Sequence, residues 1–324
     1  MRSGIFAGRY KILSLLGRGG MGHVYRAEHL GLGKEVALKI LAPLHGPASS
    51  DFPERFAREA RAIGRLDHPG CVRIFDYGQD DDGSQYIAME LIDGPTLGTA
   101  LGEDVFSIHR ALHVGRAILS ALAHAHAHGI VHRDIKPENV MLAGGSGFRV
   151  VLIDFGLASL RDAPALTGRG MAVGSPSYIA PERLLGQPHD HRADIYSVGV
   201  LLYEMITGIR PFIGESPQEI MANALSRPHR PLRALAPHAS PILEAVIRRA
   251  LSKDPDKRFA DAEEMMSALG DVERLDALAT GDAEPADEAS ASMTIAELSI
   301  HQPSRLARLW GWLRYGAWRW RPGH

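Results

Sequence analysis

The sequence predicts an α+β fold of two unequal lobes: a small β-rich lobe with one main helix, then a larger helical lobe. Residues 9–92 hold short β-branched and aromatic runs separated by glycines, which read as strands and turns. Residues 93–270 show the helical apolar repeat over long stretches instead. Across 324 residues, 45% apolar and 23% charged content lies close to globular averages, which excludes a fully disordered chain.

The elements follow in order. Tyr10–Leu16, Val24–Glu28, Glu35–Ile40, Val72–Tyr77 and Tyr86–Leu91 predict strands. Phe52–Leu66 places Phe56, Ile63 and Leu66 among Arg and Glu at helical spacing. In the second lobe, His109–His128 and Ala193–Thr207 predict helices, with short strands at Val140–Leu142 and Val150–Ile153. Residues 271–304 carry eight acidic residues against one arginine, with many Ala and Ser, and read as a flexible acidic linker. Residues 305–324 change again, to Trp, Leu and Arg. The expected organisation is therefore 9–92 and 93–270 as the two lobes of one domain, 271–304 as linker and 305–324 as a tail.

Charge and cysteine usage narrow the function. Lys+Arg 36 against Asp+Glu 38 gives a net charge of −2, without the basic excess of a dedicated nucleic-acid binder. The single cysteine, Cys71, excludes an internal disulfide framework and fits a reducing, cytoplasmic compartment. Arg9 and Lys11 break the first apolar stretch too early for a signal-peptide core. Glu204 interrupts the longest apolar run, Ile195–Ile209, so no spanning helix is expected.

Several short segments carry chemistry. Gly17-x-Gly19-x-x-Gly22-x-Val24 lies between two strand-like segments. Its glycines allow a tight turn whose N–H groups approach phosphate oxygens, although an ordinary hairpin turn has the same pattern. A dinucleotide fold is disfavoured, because a strand rather than a helix follows. Val36-Ala37-Leu38-Lys39 puts a lysine on an apolar strand, where a buried ammonium needs an anion and an exposed one would snorkel. Glu59, on the expected helix, is one candidate partner and phosphate oxygens are another. His132-Arg133-Asp134-Ile135-Lys136-Pro137-Glu138-Asn139 is the most specific segment: seven specified positions coincide by chance about once in 10^9 starting points. Asp154-Phe155-Gly156 and Ala180-Pro181-Glu182 follow.

Together these motifs resemble the protein-kinase superfamily, and its bacterial, eukaryotic-like serine/threonine branch fits best. The resemblance covers about residues 9–270. It implies a bilobal fold that binds ATP and a divalent metal, Mg²⁺ with Mn²⁺ as an alternative, and phosphorylates protein substrates. Gly17, Arg18, Gly19, Gly20, Met21 and Gly22 would cover the phosphates, with Val24, Ala37, Met89 and Met141 around the adenine. The backbones of Glu90 and Ile92 would meet its edge. Lys39 would hold the α- and β-phosphates and pair with Glu59. Asp134 would accept the substrate's hydroxyl proton, Lys136 would contact the γ-phosphate, and Asn139 and Asp154 would hold the metal ions. Asp194 would hold the catalytic loop from below, Arg258 would pair with Glu182, and Ile63, Cys71, Phe155 and His132 would stack between the lobes. A pseudokinase scaffold and a small-molecule kinase are the alternatives. The first usually lacks a catalytic residue present here, and the second usually lacks a complete Ala-Pro-Glu segment.

The resemblance also implies regulation. Arg133 precedes the catalytic Asp, as in kinases switched on by activation-segment phosphorylation, and Thr167 is the expected autophosphorylation site, with dimerisation during that step. Ser175 occupies the docking-loop threonine position, expected to touch Asp134 and Lys136. His124 and His128 have the i, i+4 spacing of metal ligands, but helix packing is the stronger reading. In the tail, Leu306, Leu309, Trp310, Leu313, Ala317 and Trp320 fall within an arc of about 100° on a helical wheel, and Arg305, Arg308, Arg314, Arg319 and Arg321 fall outside it. Such a helix suits a peripheral contact with anionic membrane through 305–321, docking on its own lobe, or a partner protein.

Overall fold

The computed structural model describes residues 4–19, 22–41, 52–144, 149–155 and 176–280. Six strands form one antiparallel sheet: β1 (Ile5–Phe6), β2 (Tyr10–Gly19), β3 (Gly22–His29), β4 (Lys34–Leu41), β5 (Ile74–Gln79) and β6 (Gln85–Met89), in the order β1-β2-β3-β4-β6-β5. Alternation along β4 gives the sheet two working faces. Register places Val24 and Ile87 opposite Lys39, and Met89 opposite Ala37, so these five share the face directed at the main core. Tyr25, Leu38, Ile40, Tyr86 and Ala88 join Phe6 and Tyr10 in a second core on the other face. Asp76 on β5 accepts hydrogen bonds from Tyr10 (2.9 Å), Tyr86 (3.1 Å) and Arg9 (2.9 Å), so the sheet curls until β2 meets the far edge strand. Helix α1 (Phe52–Ile63) buries Phe52, Phe56, Ala60 and Ile63, which recur at helical spacing on one side.

The larger lobe contains α2 (Leu97–Glu103), α3 (Ile108–Ala127), the hairpin of β7 (Val140–Ala143) and β8 (Arg149–Leu152), α4 (Pro181–Leu184), α5 (Arg192–Thr207), α6 (Pro217–Ser226), α7 (Pro241–Ala250) and α8 (Ala262–Thr280). Helix α5 is buried on nearly every side, as expected of a helix that is apolar all round. It packs on α3 and α7 and carries Asp194 in its first turn, which thereby reaches the site from below. Serines at 107, 216 and 240 cap α3, α6 and α7 with their hydroxyl oxygens. Arg258 forks onto Glu182 with two 2.7 Å bonds, both side chains buried, which fixes α4 to the loop before α8.

Two expected boundaries move. Phe6, ahead of residue 9, is buried in the sheet's second core, so the folded unit begins earlier. Helix α8 runs through Thr280, ten residues into the segment expected as linker from 271. Val272 is fully buried and Glu273 pairs with Arg116 of α3, so the helix's acidic residues lie outside an apolar seam. Composition shows the acids but not the seam. Among the described residues no helix is long and apolar enough to cross a membrane. The tail at 305–324 lies outside them.

Candidate active site

The catalytic loop is built upward from Asp194. Its carboxylate is buried and accepts from the backbone N–H of His132 (2.8 Å), the backbone N–H of Arg133 (2.8 Å) and Nε2–H of His126 (2.9 Å). Burial alone would push the Asp194 carboxyl up, but the hydrogen bonds, that of His126 foremost, hold it below the ordinary carboxylate range. Burial pushes His132 down, so its ring is neutral. Nε2–H donates to the Ile153 carbonyl (3.0 Å) and Nδ1 accepts from the Asp134 N–H (3.2 Å), which fixes the tautomer. Arg133 and Asp154 both have positive φ, 66° and 64°, a conformation that costs non-glycine residues free energy and collects at functional sites.

These constraints present Asp134. Its Oδ2 accepts from Lys136 Nζ (2.7 Å) and from Asn139 Nδ2 (2.8 Å), and Asn139 Nδ2 also reaches the Asp134 carbonyl (2.7 Å). Both amide hydrogens of Asn139 thus face Asp134, which leaves its Oδ1 as the acceptor. The Ile153 N–H donates to the Asn139 carbonyl (3.0 Å), bringing together Asn139, just before β7, and Asp154, just after β8. A carboxylate and an amide oxygen are hard donors of the kind that suit Mg²⁺ or Mn²⁺, so the residues fit a divalent cation.

Across the cleft, Lys39 is nearly buried and its Nζ meets Asp154 Oδ2 at 2.7 Å. The expected pair with Glu59 is not formed; Asp154 neutralises the ammonium instead. A lysine this buried requires a close anion, and Asp154 supplies it while Glu59 stays half-buried at the margin of α1's packed side. Lys39, Ile63, Met89, Asp154 and Phe155 line one small cavity below the sheet. The His132 and Phe155 rings meet at a 48° tilt with centroids 4.6 Å apart, and Cys71 is buried in the same main core as Phe155. Burial pushes the Cys71 thiol up to about 12, as befits an inert packing residue.

Gly17, Arg18 and Gly19 end β2, and Gly19 pairs with Gly22 across the hairpin. Gly22 has φ +148°, and a Cβ there would lie 2.0 Å from the Ile40 carbonyl oxygen, so only glycine fits. Gly17 has open space around it. Val24, Met141 and Ile92 pack on the main core, and Ala37 and Met89 are buried in it. The Glu90 N–H donates to the Arg73 carbonyl (2.9 Å), leaving its own carbonyl for a ligand in the cleft. Gly20, Met21, Thr167 and Ser175 lie outside the described residues.

The order of these parts decides the family, because the motif spacing and the fold agree residue by residue. The protein kinase domain description fits residues 10–269. The chain belongs to the protein kinase family. It is 40% identical over 276 residues to the serine/threonine-protein kinase pkn3 of Myxococcus xanthus, covering 82% of this chain and 50% of that one. It is 38% identical over 277 residues to PrkC of Bacillus subtilis (83% and 42% covered) and 39% over 267 residues to PknD of Mycobacterium tuberculosis (82% and 40%). The chain therefore spans half or less of the length of these curated relatives. A double mutant of the M. tuberculosis PknI kinase domain superposes with TM-score 0.67 at 30% identity, covering 84% of this chain and 99% of that one. The family uses ATP and a divalent metal, and acts on proteins.

Other sequence readings resolve in this kinase domain. Among the described residues no group of three His, Cys, Asp or Glu could hold a metal ion. His124 stacks on His68 (centroids 5.4 Å apart) and lies tilted against His128 (4.5 Å). His126 does more than pack, since it holds Asp194. Sequence reasoning missed Gly94, whose φ is +149° and whose Cβ would lie 2.1 Å from the Leu142 carbonyl oxygen. Its signal was the Asp93-Gly94-Pro95 turn pattern. It also missed Arg149, which no motif marks.

Proposed function

We propose that this kinase domain transfers the γ-phosphoryl group of ATP to serine or threonine hydroxyls of proteins. The observation that carries the reading is Asp134, an ionisable carboxylate held by Lys136 and Asn139 on a loop anchored to Asp194. Asp134 orients the attacking hydroxyl and accepts its proton. Lys136 places positive charge beside the transferring group, and Lys39 binds the phosphates from the opposite wall. Asn139 and Asp154 would hold Mg²⁺, with Mn²⁺ fitting the same oxygens, and the positive charge they hold would offset charge developing on the phosphoryl oxygens. Lys39, Asp134 and Asp154 are all in place, which disfavours a pseudokinase scaffold. The test is transfer of labelled γ-phosphate from ATP to a generic protein substrate by the full chain. Wild type should label it, and Asp134→Asn should lose at least about a hundredfold in rate while keeping its melting temperature. Near-wild-type turnover by folded Asp134→Asn would falsify the assignment.

The regulatory reading follows from Arg133, whose Nε is buried without a hydrogen-bond partner among the described residues. Phosphate on Thr167 would supply an anion to that guanidinium. The single cysteine supports a cytoplasmic kinase, and tail residues 305–321, with the pattern of an interfacial helix, support a peripheral membrane contact. Co-sedimentation of the full chain and of residues 1–300 with anionic vesicles tests this; equal binding by both would end it.

A further inference from the structure

We infer that Arg149 is a positioning residue for the nucleotide, a clamp that sets the adenine-binding edge from outside the cleft. The inference rests on the ATP-binding reading above. Arg149 opens β8 in the large lobe. Its Nη2 donates to Glu90 Oε1, and its Nη1 donates to the Pro69 carbonyl (3.4 Å) on the loop between α1 and β5. One guanidinium thus joins three segments: the strand end carrying the adenine edge, the loop behind α1, and the hairpin carrying Met141.

Glu90 is held on every side except the one the nucleotide needs. Its N–H is spent on the Arg73 carbonyl, and its carboxylate is tied to Arg149. Its Oε2 is buried with no hydrogen-bond partner among the described residues. A carboxylate in that position relies on its single cation, and without Arg149 it would turn out to find water, because an uncompensated buried charge is costly. Loss of the ion pair leaves Glu90 tied by its backbone N–H alone, so the adenine-binding edge is free to shift against the hairpin that carries Met141.

The hairpin that supplies Arg149 is itself fixed to the connection between the lobes. The Leu142 N–H donates to the Pro95 carbonyl (2.9 Å), Thr96 bridges to Met141, and Gly94 lets the two backbones touch. Ala143 stands opposite Arg149 and Met141 opposite Val151, so Arg149 and Met141 share one face of the hairpin. Floor and edge of the adenine site are therefore tied together, with the Gly94 contact and the Arg149–Glu90 ion pair both at the Ala143 end of the hairpin.

The test compares the full-length wild type with Arg149→Met and Arg149→Lys. Calorimetry measures affinity for a non-hydrolysable ATP analogue with Mg²⁺, and steady-state kinetics measure the KM values for ATP and for a peptide. Arg149→Met should weaken nucleotide binding and raise the ATP KM by about fivefold. The peptide KM and kcat at saturating ATP should stay within about twofold. Arg149→Lys, which keeps the charge, should recover most of the affinity. If Arg149→Met does not fold, the split between ATP KM and kcat in Arg149→Gln decides. A folded variant with wild-type affinity and ATP KM, or one with a lower melting temperature alone, would overturn the clamp. Wild type that binds no nucleotide would overturn the ATP reading itself, and the clamp with it.

Discussion

On the floor of the cleft, the backbone of His132 and Arg133, the ring of His126 and the amide of Asn139 all end on carboxylates that are in place. On the roof, Lys39 reaches down to Asp154 and is not joined to Glu59. The two walls follow different designs. The floor is over-determined by buried polar bonds, each of which would be costly to leave unmade, so it is assembled before any substrate arrives. Facing the cleft, the roof is joined to the floor by the Lys39–Asp154 ion pair and backed by an apolar face of α1, and phosphate arriving at Lys39 competes with that pair. The contrast assigns conformational adjustment to the roof and proton chemistry to the floor.

The largest expected effect comes from cutting the floor at its root. Asp194→Ala removes the acceptor of three hydrogen bonds and leaves two buried N–H groups unpaired, so it should cost about 3–5 kcal/mol in denaturant unfolding and abolish transfer. Asp194→Asn sharpens the point through pH. The native carboxyl lies below its unfolded value, so its stabilisation is present above about pH 4 and is lost as acid protonates it. The asparagine variant should show a flatter fall in stability across that acid range, and an identical slope would contradict the anchoring role.

A smaller effect is expected at the roof's glycine turn. Gly22→Ala drives a methyl into the Ile40 carbonyl, so it should destabilise the protein by about 2 kcal/mol and weaken ATP binding, whereas Gly17→Ala, with open space, should do neither by more than about 0.5 kcal/mol. The smallest stability change is expected at Glu59. Because it does not hold Lys39 here, Glu59→Gln should leave the melting temperature within a degree or two, a shift of about 0.5 kcal/mol or less. Its kcat should still fall about tenfold if turnover passes through a Lys39–Glu59 pair. A large stability loss would mean that the roof is as firmly built as the floor.

The floor was far more legible than the roof. His132, Asp134, Lys136 and Asn139 lie within eight consecutive residues, so local spacing alone brings them together. Lys39 and Glu59 are twenty residues apart on different elements, and which carboxylate meets the ammonium depends on how α1 packs, which no local pattern encodes. The sheet strands were legible by alternation, but β1, only two residues long, was too short to show a period. The extension of α8 to Thr280 was hidden because its surface is acidic and its seam is narrow. Arg149 gave no signal at all, since its role exists only through partners at positions 69 and 90.

The most direct measurement is amide hydrogen exchange on the full chain with and without the Mg²⁺ complex of a non-hydrolysable ATP analogue, read at His132 and Arg133 and along α1. Both loop amides donate to buried Asp194, so they should be strongly protected without nucleotide and should change little when it binds, while α1 around Glu59 gains protection. Fast exchange at His132 and Arg133 that slows only with nucleotide, alongside an α1 that does not respond, would contradict a pre-assembled floor beneath an adjustable roof.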